Sequence, residues 1–294
     1  MSNKLKLLSG LPFYIGKIQI KPLKLREIAE IGEDKYNKLL SVICISKNQI
    51  KEALNTNNDL DPFDYIYSCC YQAIKNTNNE MQGYKELKEY ANLITLSLSL
   101  FLNENYIFTD KGFFISESHV DKYKTLIEEL EYFILLNEIK NEKDLLNFDD
   151  KTLKEYNLIT QKLNDIKVIN KSNFNSIVEI IKDQNCIKHE EKEEYNPAND
   201  MAKKFIERFK KNKSNAPKPK KEYGLYEIIS SISWKTNIGT DVWDLTIYQL
   251  YDAFNRINII DNYLNISHGI YSGSINPKKI NLKEINWFRK IKDK

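Results

Sequence analysis

Apolar residues recur at helical spacing along most of the chain. The run "PLKLREIAEIGEDKYNKLLSVICIS" carries them every three or four positions, and Gly32 divides it into two helices. At its start Leu23 and Ile28 are placed as a hydrophobic staple, with Glu27 at the capping-box position. Lys24 stands where Ser or Thr would cap, which weakens that start. "DPFDYIYSCCYQAIK" is better specified, with Asp61 as cap, Pro62 at the first helical position and Asp64 in the first turn. The next helix is expected from about Glu80 to Asn103, with Leu87, Tyr90, Ala91, Ile94, Leu98 and Phe101 on one stripe. "SESHVDKYKTLIEELEYFILLNEI" returns to helix, with Ser118 and Asp121 spaced like a capping box. Further helices are expected at about 149–168 and 173–184.

Two stretches break the helical period. "PFYIGKIQI" alternates loosely and reads as a strand or short hairpin. In "NYIFTDKGFFIS" two β-favouring runs flank Asp110-Lys111-Gly112, a three-residue hairpin loop with a glycine for the left-handed position. The expected fold class is therefore mainly α: a multi-helix protein with a small β-hairpin insertion at about 105–116 and a short N-terminal extended segment.

Composition then changes along the chain. "CIKHEEKEEYNPAND" is charged and contains Pro197, which suits a surface loop. Residues 202–221 hold nine Lys/Arg against one Glu. They read as a basic amphipathic helix running into a Pro-containing linker, since no aromatic platform accompanies the charge. The expected organisation is a larger helical region with the hairpin at 1–212, a basic linker at 213–222 and a small helical C-terminal domain at 223–294.

That last region holds all three tryptophans, Trp234, Trp243 and Trp287, and one carefully built helix start, "WDLTIYQLYDAFNRI". Thr246 caps it, Gln249 completes a capping box, and Leu245 with Leu250 forms a staple. Ile247, Leu250, Tyr251, Phe254 and Ile257 share the core-facing side. Tyr248 and Ile259 are eleven residues apart, three turns, and fall together on a second side. A helix apolar on two sides is either sandwiched within its own fold or bound to a partner, so these two are the candidate partner-binding residues.

Charge and chemistry mainly exclude. The net charge of +3, from 44 basic and 41 acidic residues, is too balanced for nucleic-acid binding by the whole surface. Four cysteines in 294 residues do not make a disulfide framework, and the adjacent Cys69 and Cys70 suit buried thiols. The most apolar stretch, Ala91 to Leu102, falls well short of the roughly 20 residues of a membrane span. Pro12 and Lys17 interrupt any signal-peptide core. A soluble, cytoplasmic, reduced protein is expected.

Cys186 and His189 have half of a zinc spacing with no second pair. Asp59, Asp61 and Asp64 lack the glycine and glutamate of a calcium loop. There is no phosphate-binding glycine loop and no G-x-S-x-G elbow. No catalytic, cofactor-binding or metal-binding residue is expected, and the chain is read as a non-enzyme.

One resemblance supplies a positive reading. "GKIQIKPLKLREIAEIGEDKYNKLLSVI" resembles the start of tail assembly chaperone-like proteins from phages and phage-derived particles of Gram-positive bacteria. "YEIISSISWKTN", "WDLTIYQLYDAFNRI" and "INPKKINLKEINWFRKI" are similar to C-terminal blocks of the same proteins. The resemblance covers about residues 15–45 and 223–291. It implies a non-enzymatic factor acting in the bacterial host cell. Such a factor binds the helix-rich tape-measure protein, the tail-tube protein, or both during tail assembly. Self-association stays open, and neither a membrane nor nucleic acid is the expected partner. Two other readings stand beside it: a structural tail or baseplate component retained in the virion, and a nucleic-acid-binding accessory protein using 202–221.

Overall fold

A computed structural model of the chain describes residues 3–55, 59–75, 82–137, 139, 149–187, 224–276, 278, 280–281 and 285–289. It is mainly helical with two small antiparallel sheets. The chain divides into two compact units, Met1–Ile187 and Lys188–Lys294. The sequence-derived linker at 213–222 and the basic run at 202–221 lie outside the described residues.

The first unit opens with a short helix that the periodicity did not indicate, α1 (Asn3–Leu8). The extended run after it is a hairpin, β1 (Phe13–Ile15) against β2 (Ile18–Ile20), with Phe13 opposite Ile20. Helices α2 (Leu25–Ile31) and α3 (Glu33–Ile43) follow, separated at Gly32. The weak start at Lys24 is completed from the side: the Lys24 N–H donates to Glu27 Oε2 at 2.8 Å, and Lys21 pairs with the same carboxylate. Then come α4 (Lys47–Leu54) and α5 (Pro62–Lys75), the latter capped by Asp61 Oδ1, which accepts from the Phe63 N–H at 2.9 Å.

The long helix α6 (Gln82–Leu102) is the spine of this unit. It packs on α3 and α5, with Ile94, Ser97, Leu98, Phe101 and Leu102 all buried. Ser97 is admitted to that core because its hydroxyl donates to the Leu39 carbonyl of α3 at 2.8 Å.

The expected hairpin is present as β3 (Ile107–Thr109) and β4 (Gly112–Phe114), but it gains a third strand, β5 (Val168–Ile169). The helix expected over about 149–168 therefore stops early, as α8 (Asp150–Asn164). Val168 and Ile169 are β-branched and buried, and they pair with Phe114 and Phe113 instead of continuing the helix. Between hairpin and α8 runs α7 (Glu117–Leu136), whose cap is Ser116 and not Ser118. The Ser116 hydroxyl bonds the Ser118 hydroxyl and His119 Nδ1. Helix α9 (Lys171–Gln184) begins two residues earlier than periodicity suggested, because Asn170 caps it through the Ser172 N–H. It packs on α5 and on the β1–β2 hairpin.

In the second unit α10 (Leu225–Thr236) leads through a 3₁₀ turn (Gly239–Asp244) into α11 (Ile247–Tyr271). The carefully specified start behaves as its residues dictate. Thr246 Oγ1 accepts from the Gln249 N–H at 3.3 Å, and Gln249 Oε1 accepts from the Thr246 N–H at 2.8 Å. Leu250 is fully buried, and Leu245 is half-buried. Helix α11 runs straight through Gly269, where a Cβ would lie 2.4 Å from the Ile275 side chain, so this glycine lets the returning chain close onto the helix.

Candidate functional site

Two surfaces stand out, one in each unit. In the first unit, α5 and α6 leave between them an open groove of about 290 Å³. Cys70, Ala73 and Ile74 form one wall, Ala91 and Thr95 the other, and Phe108 of β3 closes the end. Small side chains at 73 and 91 hollow the seam where two helices would otherwise interlock. The end wall is fixed by aromatics: Phe108 packs edge-on to Tyr67 at 5.2 Å, Tyr67 stacks on Tyr71, and the Tyr67 hydroxyl donates to the Asp110 carbonyl at 2.7 Å.

Its chemistry suits apolar contact. Thr95 spends its hydroxyl on the Ala91 and Asn92 carbonyls of its own helix. Burial pushes the Cys70 thiol up to about 12, so it carries almost no thiolate near neutrality. Lys88 and Asn92 are the polar lining groups. Such a groove can accept an apolar side chain presented by a helix.

The second surface is α11. Ile247 and Leu250 are buried, yet from Tyr251 to Tyr271 no side chain is. That run includes Phe254, Ile257, Ile259, Ile260, Leu264, Ile266 and Ile270. The face read from sequence as core is thus buried only at its first turn, and Tyr251, Phe254 and Ile257 are half-buried. Tyr248 and Ile259 are half-buried too, on one helix and about 16 Å apart along its axis. Polar clasps also hold the helix: Lys235 of α10 pairs with Asp261 at 3.0 Å, and Arg256 Nη1 donates to the Trp287 and Arg289 carbonyls. The tryptophans stay outside, with Trp234 82% exposed and Trp243 and Trp287 also exposed.

The other sequence candidates have structural roles. Asp59 pairs with Lys51, Asp61 caps α5 and Asp64 pairs with Lys171, so the three carboxylates are divided among three partners. Cys186 is exposed, and His189 lies outside the described residues. Among the described residues no group of three His, Cys, Asp or Glu could hold a metal ion. No disulfide joins any of Cys44, Cys69, Cys70 and Cys186. Among the described residues no helix is long and apolar enough to cross a membrane. Lys167 pairs with Glu104 beside the buried Tyr106 hydroxyl, and this fastens the end of α6 to the start of β5.

Periodicity placed Tyr248 and Ile259 but missed the groove. A groove depends on which helices become neighbours, and α5 and α6 meet through side chains that look like ordinary core positions. The only hint in the sequence is the small pair Ala73 and Ala91.

Comparison with known proteins agrees in part with the resemblance. Residues 213–292 match the family model of the YomV second domain, from a phage-derived Bacillus protein family, which points to a phage protein. That stretch contains α10 and all of α11. No curated protein and no solved structure matches the chain.

Proposed function

We propose that the chain is a non-enzymatic phage tail assembly chaperone that shields the apolar stripes of the helix-rich tape-measure protein until tail-tube subunits replace it. The observation that carries this reading is α11. Seven Ile, Leu and Phe side chains between 254 and 270 stay short of burial in a helix of 25 residues. Completing the burial of a half-covered Ile or Leu is worth roughly 1 kcal/mol. Several such gains bind a partner without locking it, which suits a factor that a growing tube must displace. The α5–α6 groove offers a second apolar contact of the same kind. The phage-type match over 213–292 supports the setting, and the resemblance of residues 15–45 to tail assembly chaperones supports the role.

Capture of the co-encoded tape-measure protein by the full chain tests the reading. Ile259→Asp on α11 and Ile74→Asp in the groove are each expected to reduce capture severalfold while the chain stays folded by circular dichroism. Undiminished capture by both variants overturns the assignment of these surfaces. No capture by the wild-type chain overturns the proposed function.

A further inference from the structure

We propose that the N-terminal edge of the first unit is a docking surface for an acidic amphipathic helix of a partner protein. Four large apolar side chains stand out of this edge, at intervals of three residues. They are Leu5 and Leu8 on α1, Leu11 in the turn and Tyr14 on β1, with Leu5 and Leu11 each 51% exposed and Tyr14 58% exposed. Their neighbours Leu7 and Phe13 are buried and anchor the edge to the fold. An exposed apolar row on an anchored scaffold is the kind of surface that a partner covers.

Charge says what covers it. Residues 3–26 contain Lys4, Lys6, Lys17, Lys21, Lys24 and Arg26 and no Asp or Glu. Lys17 is paired with Asp165 and Lys21 with Glu27, and Lys4, Lys24 and Arg26 have interactions of their own. Lys6 is different. Its Nζ lies 4.6 Å from the centre of the Phe13 ring and 5.8 Å from that of Tyr14, and among the described residues no carboxylate pairs with it. The two rings hold this ammonium beside Tyr14, one of the four exposed apolar residues. A basic partner segment would meet repulsion there, and a neutral one would leave the cation covered and unpaired. A helix with apolar residues on one stripe and Glu or Asp beside it satisfies both features at once.

A protein helix fits better than an anionic lipid surface. α1 has six residues and is about 9 Å long, too short to lie in a bilayer interface as an anchoring helix. The exposed residues are carried by a helix, a turn and a strand, and Leu7 and Phe13 among them are buried, so the chain offers separate apolar side chains there and no continuous broad apolar face. A single apolar stripe of a helix can meet four such side chains, whereas a membrane needs a broad face.

The inference stands apart from the chaperone reading, and its test uses synthetic probes in place of the tape-measure protein. The full chain is titrated with two labelled helical peptides of about 21 residues, or three heptads. Both carry Leu at the same stripe positions; one has Glu and the other Lys at the remaining positions. Binding to phosphatidylserine vesicles is measured in parallel. The acidic peptide is expected to bind, with affinity falling as salt rises, and the basic peptide is not. Lys6→Glu is expected to weaken binding about tenfold or more, roughly 1.4 kcal/mol. The exposed pair Leu5→Ser and Leu11→Ser, which the fold does not need, should give a similar loss. Equal binding of both peptides, binding of vesicles alone, no binding, or full affinity in the Leu variants overturns the proposal.

Discussion

A Cβ atom at Gly112 would lie 2.5 Å from the carbonyl oxygen of Ile169, so the first residue of β4 and the last of β5 approach as only glycine allows. The backbone at Gly112 also has φ +131°, where a side chain is strained. The loop is therefore the two residues Asp110 and Lys111, and the glycine serves the third strand as well as the turn. Gly112→Ala is expected to cost about 2 kcal/mol or more, because neither strain nor contact can relax without opening the sheet. Chemical denaturation should show the loss. Unchanged stability would mean that β5 is not held this closely.

Acid stability should depend on Glu27. Burial alone would raise its carboxyl. The charged hydrogen bond from Lys21, the N–H of Lys24 and the positive charge of both lysines outweigh that and hold it below its ordinary value of 4.5. A carboxyl lowered by folding adds stability above its unfolded value, and loses it as pH falls through the folded one. Lys21→Met should move the Glu27 titration upward by NMR and raise the pH of acid unfolding. A titration that does not move would show that the pair contributes nothing in solution.

Thiol reactivity should separate the cysteines. Burial pushes Cys44 and Cys70 to about 12, which leaves roughly one thiolate in ten thousand at pH 8. Cys186 is exposed and should react first with a thiol reagent, whereas Cys44 and Cys70 should wait for unfolding. The denatured, unreduced protein should give four free thiols. Fewer than four would reveal a bridge, and fast labelling of Cys70 would show that the α5–α6 groove opens.

Limited trypsin digestion should cut first within 211–221, where Lys recurs among Asn and Pro, and leave a C-terminal fragment starting near Lys221 or Glu222. First cuts inside the middle helices would show that 213–222 does not act as a linker.

Local rules made much of the fold legible. Asp61-Pro62, Gly32 and Thr246 with Gln249 each act within one turn of helix, so their outcome can be read from neighbours in sequence. The hairpin at 107–114 was legible for the same reason. Val168 and Ile169 were not, since their strand exists only where β4, more than fifty residues earlier, offers an edge. Ser116 took the cap from Ser118 because its own backbone is extended, so the helix starts two residues sooner. For the candidate site, the second side of α11 was visible as a period, and Tyr248 and Ile259 followed from it. The groove was not visible, because Cys70, Ala73, Ala91 and Thr95 become one surface only through the packing of α5 on α6.

A chaperone of the kind proposed above escorts its partner and then leaves. The most direct test of that role pairs two readouts: the soluble fraction of the co-encoded tape-measure protein with and without this chain, and the protein content of purified finished particles. The partner is expected to be soluble only when co-expressed and co-purified with this chain, and the chain to be absent from the particles. A partner equally soluble alone, together with this chain in finished particles at a fixed ratio to the tail proteins, would contradict that role and make the protein a structural part of the tail.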